Sequence, residues 1–347
     1  MRIGLVVDSG CDLPKSFIDE HGILILPVSI RLGDQIIVDE RDPERTRQFY
    51  ATEASEKAHG AESIPFTMEQ IKALFLDKVV VDFDYALVQT VPKSRSPIFT
   101  NATEASHAIL REYKPIRKQA GVEGPFALRV TDSQTLFAGQ GALAAETMRL
   151  IQSGMKITEI RQSVEVLASK ATGYAVVPDI YYLHKRAKKR GDKSVSWAGA
   201  ILGNALDIKP VLCARQDETF PVAKMRGFDA GVEAMFRHGA RCIERGLMAP
   251  VVCVSYAGDE SRIRQMPGFD RLAEAAKRHK VELLTSSMGL TGAVNIGPGA
   301  LISVRRRQES WRLHVHLGLL ESTASKFATA FCRCSDSVLP ELGVDGR

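Results

Sequence analysis

The sequence predicts an α/β protein of two α/β domains, the first with a doubly wound parallel sheet, and a ligand site between them. Three observations carry this reading. From residue 3 to about residue 153, short apolar runs alternate with helical stretches, the pattern of parallel strands joined by crossover helices. Two of those runs, residues 3–7 and 127–131, end in Asp8-Ser9 and Asp132-Ser133, which places polar groups at the carboxyl edge of a sheet, where α/β folds collect ligands. Near the end of the pattern stands Asn295-Ile296-Gly297-Pro298-Gly299, a turn whose glycines let an anion approach backbone N–H groups.

Each element follows from local signals. After the strand at 3–7, residues 15–21 read as a helix with Pro14 at its start. Residues 23–30 read as a strand, and 35–38 as a short strand running into Asp39-Glu40. Residues 43–54 read as a helix with Phe49 and Tyr50 available for packing. Thr67 caps the next helix through its hydroxyl, with Glu69 and Gln70 in the first turn. A strand at 85–90, a helix at 100–113, a strand at 127–131 and an Ala- and Gly-rich helix at 139–153 complete the first unit. Residues 158–172 are amphipathic, with Ile160, Val164, Leu167 and Ala171 on one face. Strands at 174–177, 209–213, 248–256 and 280–286 then alternate with helices at 231–245 and 269–279. The expected division is 1–170, 171–304, and a segment 305–347. That last segment opens on Arg305-Arg306-Arg307, shows no clean period, and is expected to be an appended peripheral tail.

Composition bounds the function. The 347 residues, 45% hydrophobic and 25% charged, suit an ordinary globular chain with ample core. A net charge of +5 is too small to argue for nucleic acid by itself. Of six cysteines only Cys332 and Cys334 lie close together, and one such pair is not a zinc site, so neither metal nor cofactor is expected. No apolar run approaches the ~20 residues of a membrane span. Residues 1–7 read as a strand rather than a signal peptide, and a reducing cytoplasm is the expected compartment.

The candidate site residues lie in loops. Lys93-Ser94-Arg95-Ser96-Pro97 precedes a helix, so its hydroxyls either cap that helix or hold a carboxylate or phosphate there. Asp8-Ser9 and Asp132-Ser133 carry the same two readings. The basic run at 184–193, HKRAKKRGDK, and Arg226 in Lys224-Met225-Arg226 form either a solvated face or a surface for acidic partners. There is no Gly-x-Ser-x-Gly elbow, no P-loop, and no Gly-x-Gly-x-x-Gly after the first strand. The eight histidines are scattered and none sits beside a candidate nucleophile. This favours binding over chemistry.

Together these segments resemble the DegV family of bacterial fatty-acid-binding proteins over roughly residues 1–304. The pieces are Val7-Asp8-Ser9-Gly10-Cys11-Asp12-Leu13-Pro14, Pro27-Val28, Asp39, Ser63-Ile64-Pro65 read as a turn, and Val130-Thr131-Asp132-Ser133. Tyr182-Leu183, Ile208-Lys209-Pro210-Val211-Leu212, Lys224-Met225-Arg226 and Gly297-Pro298-Gly299-Ala300 complete them. The resemblance implies two α/β domains around a buried acyl chain, no catalysis by the chain itself, and presentation of the carboxylate to a kinase partner related to dihydroxyacetone kinases.

It further implies a head group held by a Thr-Ser-x-Pro-Ser turn, a Ser-Gly-Thr loop, and a His ahead of Gly-Pro-Gly. By position these fall on Glu62-Ser63-Ile64-Pro65-Phe66, on Ser96-Pro97-Ile98, and on Asn295. Ser63, Ser96, Asn295 and amides near Gly297 are then the expected head-group contacts, with Ser94 and Glu62 beside them. Arg190 and Arg226 would face the partner. Glu62 replaces a Thr and Asn295 a His. Asn still donates a hydrogen bond but carries no proton, and a glutamate beside a carboxylate repels it. Two alternatives stand: an enzyme acting on an acyl or phosphoryl group with Glu62 as acid or base, and a regulator whose basic run meets nucleic acid.

Overall fold

A computed structural model of the chain describes residues 1–52, 60–189, 191, 195, 207–216 and 218–306. Arg190, Trp197, the end of the basic run and the tail from residue 307 onward lie outside the described residues.

Among the described residues, seven strands build the first part: β1 (Ile3–Asp8), β2 (Leu24–Leu26), β3 (Val28–Leu32), β4 (Gln35–Asp39), β5 (Glu62–Pro65), β6 (Tyr85–Thr90) and β7 (Ala127–Asp132). Four of them form a parallel sheet in the order β2-β1-β6-β7. Both its faces are covered, as the near-continuous apolar runs require. Val6, Ala86 and Val88 pack with Ile98, Ala102 and Ala105 of the Ile98–Ala108 helix. Leu5, Val7 and Leu87 point the other way, toward the Ala138–Gln152 helix. This is the doubly wound sheet that the alternation predicts.

The apolar stretch at 23–30 is not one strand. It breaks at Pro27, which lacks an N–H for the ladder. β2 joins the parallel sheet, whereas β3 becomes the middle of a separate antiparallel sheet ordered β4-β3-β5. Residues 63–65, read as a turn, belong to β5.

The second part holds β8 (Ala171–Val176), β9 (Ile208–Arg215), β10 (Glu218–Arg226), β11 (Val251–Tyr256), β12 (Glu282–Ser287) and β13 (Leu301–Arg306), in the sheet order β10-β9-β8-β13-β11-β12. Only β11 and β12 run parallel. Sequence reading missed β10, the return strand of a hairpin with β9. It also placed a break at Arg305-Arg306, which instead continue β13 against Thr172 and Ala171.

The Ala138–Gln152 helix is buried almost all round. It packs between the parallel sheet and the six-stranded sheet, touching β1 and β6 on one side and β11 and β13 on the other. Small residues make that close fit possible: a Cβ on Gly141 would run into the Asp12 carbonyl. Elsewhere Thr67 forms the full capping box, its hydroxyl accepting from the Gln70 N–H while the Gln70 side chain accepts from the Thr67 N–H. Among the described residues no helix is long and apolar enough to cross a membrane, and no cluster of His, Cys, Asp or Glu is placed to hold a metal ion.

Candidate functional site

A cavity of about 500 Å³ lies between the carboxyl ends of the parallel strands and the inner face of the six-stranded sheet. Its wall is mainly apolar. Val28, Val91, Leu136 and Phe137 come from the first part, and Leu212 and Ile302 from the second. The volume is within the range of ordinary small-molecule sites, and an apolar wall with a few convergent polar groups is their usual construction.

The polar groups converge where β5, the Ile180–Lys189 helix and the Leu290–Ile296 helix meet. Asn295 is the hub. Its Nδ2 donates to the Thr291 carbonyl at 2.7 Å and reaches Ser63 Oγ at 3.4 Å. Its Oδ1 faces Arg186 Nη2 at 3.4 Å. Thr291, Ser63, Asn295 and Arg186 all line the cavity.

Arg186 is the residue that sequence reading missed. It is 5% exposed. Its Nη1 donates to the Ala61 carbonyl, its Nε has no partner, and it makes no ion pair among the described residues. Burial holds its guanidinium below the usual arginine range, with Tyr182 and Glu62 acting the other way. A buried cation without a counter-ion is costly unless something else supplies the anion. The sequence hides it among Lys185, Lys188 and Lys189; only in the folded helix are Tyr182, Arg186 and Ala187 buried while Tyr181, Lys185, Lys188 and Lys189 are exposed.

Strand alternation settles where Glu62 goes. In β5, Ser63 and Pro65 face the cavity and Glu62 and Ile64 do not. The Glu62 carboxylate instead pairs with Lys189 Nζ at 2.6 Å and lies 3.7 Å from Arg31. The hydrogen bond and charge of Lys189 hold its pKa below the usual glutamate range. A solvated, ion-paired carboxylate outside the cavity is poorly placed as an acid or base toward anything inside, which removes the support for the Glu62 enzyme reading.

The loop after β6 contributes Ser94, Arg95 and Ser96 to the wall. Ser96 Oγ accepts from the Ile98 N–H at 3.3 Å, bracing the helix start. Arg95 Nη2 donates to Thr219 Oγ1 at 3.2 Å, tying this loop to β10 across the cavity. The two Asp-Ser pairs are not helix caps. Asp8 is fully buried at the cavity wall and accepts from the N–H groups of Gly10 and Val91. Burial pushes its carboxyl up to about 6 in spite of those bonds. Ser9 Oγ accepts from the Val28 N–H, Asp132 Oδ1 from that of Gln134, and Ser133 bonds Thr135.

Gly297 is not part of the cavity wall. Its φ of 104° and the Tyr182 ring, 2.9 Å from where a Cβ would stand, explain why glycine is there. The N–H groups of Gly297 and Gly299 donate to the carbonyls of Ala293 and Ala257, so this turn spends its donors internally. Arg226, at the exposed end of β10, is also absent from the wall.

Comparison with known proteins agrees with this architecture. The model of a family described as uncharacterised protein, DegV family, matches residues 2–304. A DegV domain-containing protein of Xanthomonas axonopodis pv. citri is 50% identical over 301 residues, spanning 87% of this chain and 96% of that one. The crystal structure of a stearic acid-binding protein from Eubacterium ventriosum superposes with a TM-score of 0.69 at 20% identity, covering 88% of this chain and 98% of that one. The fatty acid kinase B3 protein of Streptococcus pneumoniae, loaded with linoleic acid, superposes with a TM-score of 0.65 at 18% identity, covering 89% and 100%. At those identities the two structures establish the shared fold.

Proposed function

The chain belongs to the DegV family, and from that premise we propose that it is a non-catalytic carrier that binds one long-chain fatty acid. The acyl tail occupies the apolar cavity between the two units expected at 1–170 and 171–304. The carboxylate meets Arg186 and the Ser63 hydroxyl, which Asn295 Nδ2 holds in place, with Ser94 and Ser96 in the same cavity wall. The observation that carries this is the pairing of a largely apolar cavity with one buried arginine that makes no ion pair among the described residues, beside the Ser63 hydroxyl that Asn295 orients. The cavity rewards a tail, at about 0.8 kcal/mol for each buried methylene. The arginine rewards an anion, and its planar fork suits a carboxylate.

Presentation to a partner kinase fits the same site. The Streptococcus pneumoniae neighbour carries a fatty acid kinase name, and the solvent face of the Ile180–Lys189 helix, which carries Arg186 inward, is cationic at Lys185, Lys188 and Lys189. Arg226 adds a further exposed cation. Four buried free thiols, Cys11, Cys213, Cys242 and Cys253, suit a reducing cytoplasm.

Native mass spectrometry of the purified protein, followed by extraction and identification of what it releases, tests the reading. One long-chain acid per chain is the expected result. A delipidated protein that takes up no long-chain acid would overturn it.

A further inference from the structure

Asp39 and Asp12 stand in the sequence segments that carry the family resemblance, yet neither lines the cavity. Both are buried, at 2% and 1% exposure. Their hydrogen bonds converge on one short stretch of chain, residues 287–291, which leads into the Leu290–Ile296 helix. Asp39 Oδ2 accepts from the Thr291 N–H at 2.8 Å and from Thr291 Oγ1 at 2.7 Å. Asp12 Oδ1 accepts from the Gly289 N–H at 3.0 Å and from Arg41 Nη1 at 2.8 Å. Arg41 Nη2 donates in turn to the Ser287 carbonyl at 3.2 Å, and Tyr50 Oη to the Met288 carbonyl at 2.9 Å.

The helix so anchored has seven residues. A helix that short does not hold its place by its own hydrogen bonds. One turn beyond Thr291 it carries Asn295, whose amide donates to the Thr291 carbonyl. A continuous chain of contacts therefore runs from Asp39 to Thr291 to Asn295, and from there to Ser63 and Arg186. The same small sheet sets both ends. Asp39 ends β4 opposite Val28 on β3, and Ser63 lies on β5 opposite Ile30 of that strand. β3 thus acts as a ruler, fixing Ser63 directly and Asn295 through Asp39 and Thr291.

We propose that Asp39 is a positioning residue for the head-group site: it holds Thr291 so that Asn295 meets Ser63 and Arg186, and it thereby sets selectivity for a carboxylate over a neutral head group. The inference rests on the fatty-acid reading above. A polar constellation is only as accurate as the side chains that lock it, and Asp39 locks it without touching the ligand.

Asp39→Asn keeps the volume and one acceptor but turns an amide N–H₂ toward donors on Thr291 or Arg41. Dissociation constants for palmitic acid and for hexadecanol, with thermal unfolding as a fold check, distinguish the possibilities. Expected is a loss of about tenfold in palmitic acid affinity, the scale of one charge-assisted hydrogen bond, with hexadecanol unchanged within twofold. Thr291→Val, which removes the hydroxyl that Asp39 holds, should shift selectivity the same way and serves if Asp39→Asn fails to fold. Unchanged selectivity in both variants overturns the proposal, and so does an equal loss for both ligands, the mark of a merely structural role. A wild-type protein that binds neither ligand refutes the fatty-acid reading and this inference with it, whereas intact wild-type binding isolates failure of the inference alone.

Discussion

Replacing Arg186 with methionine separates recognition of the head group from packing of the tail. Arg186 is 5% exposed, and its guanidinium bonds the Ala61 carbonyl, meets Asn295 Oδ1 only at 3.4 Å, and leaves Nε unpartnered. Methionine fills a similar volume. It removes a buried cation but orphans the Ala61 carbonyl, which costs about 1–3 kcal/mol. Relief of the unpaired charge is of comparable size and opposite sign, so ligand-free stability should change by no more than about 1 kcal/mol. Binding is different. Truncating one partner of a buried charge pair costs about 2–5 kcal/mol, or roughly 30-fold to several thousandfold in Kd at about 1.4 kcal/mol per decade. Calorimetric titration with palmitic acid should show that loss, while hexadecanol, which needs the tail cavity but no cation, binds as before. Arg186→Lys should recover part of the loss, since lysine supplies the charge without the planar fork. Palmitic acid binding within threefold of wild type in Arg186→Met, or an equal loss for the alcohol, would refute the assignment.

Asp8 gives a pH signature. Its carboxyl titrates at about 6 in the fold, against 3.8 in the unfolded chain. Ionising it is harder in the fold, so its penalty is absent below about pH 4, grows as pH rises to about 6, and is constant above. At about 1.36 kcal/mol per pKa unit this amounts to ~3 kcal/mol of stability lost with rising pH. Urea unfolding of wild type and Asp8→Asn at pH 4 and pH 7 should show the variant gaining on wild type by that order, and a gap independent of pH would contradict it. Glu62→Gln should leave fatty-acid affinity within about threefold, because this half-exposed carboxylate pairs with Lys189 and Arg31 outside the cavity and such surface pairs contribute little; loss of a measured turnover in that variant would revive the enzyme reading. Gly141→Ala should destabilise by about 1–3 kcal/mol despite alanine's better helix propensity, since the new methyl meets the Asp12 carbonyl. A denaturation midpoint equal to or above wild type would show that the helix shifts freely.

The fold was legible where a local rule agrees with the tertiary outcome. The run at 3–7 reads as a buried strand and is one, and the Thr67 hydroxyl with Gln70 reads as a cap and forms the full box. Reading failed where the outcome depends on distant partners. Nothing in residues 63–65 announces a strand, because β5 exists only by pairing with β3. The split at Pro27 sends two halves of one apolar run to different sheets, which no period within the run reveals. Ser63, Ser94, Ser96 and Asn295, distant in sequence, line one cavity, whereas Gly297 spends its N–H on Ala293 and Glu62 turns to solvent. Arg186 was hidden by its neighbours, since a run of basic residues reads as a solvated face until the helix is given its inward side.

The pairing of β5 with β3 has a consequence for how the chain tolerates insertions and deletions. Ser63 opposes Ile30 and Glu62 opposes Arg31, and alternate residues face the cavity. A slip of one residue in that pairing would carry Glu62 inward and turn Ser63 out. The pocket mouth would then present an anion in place of a hydroxyl, with every side chain still present. Within β5 itself a one-residue insertion or deletion would therefore exchange a hydroxyl for a carboxylate at the cavity wall, so the strand tolerates changes of length only where the Ser63–Ile30 pairing survives.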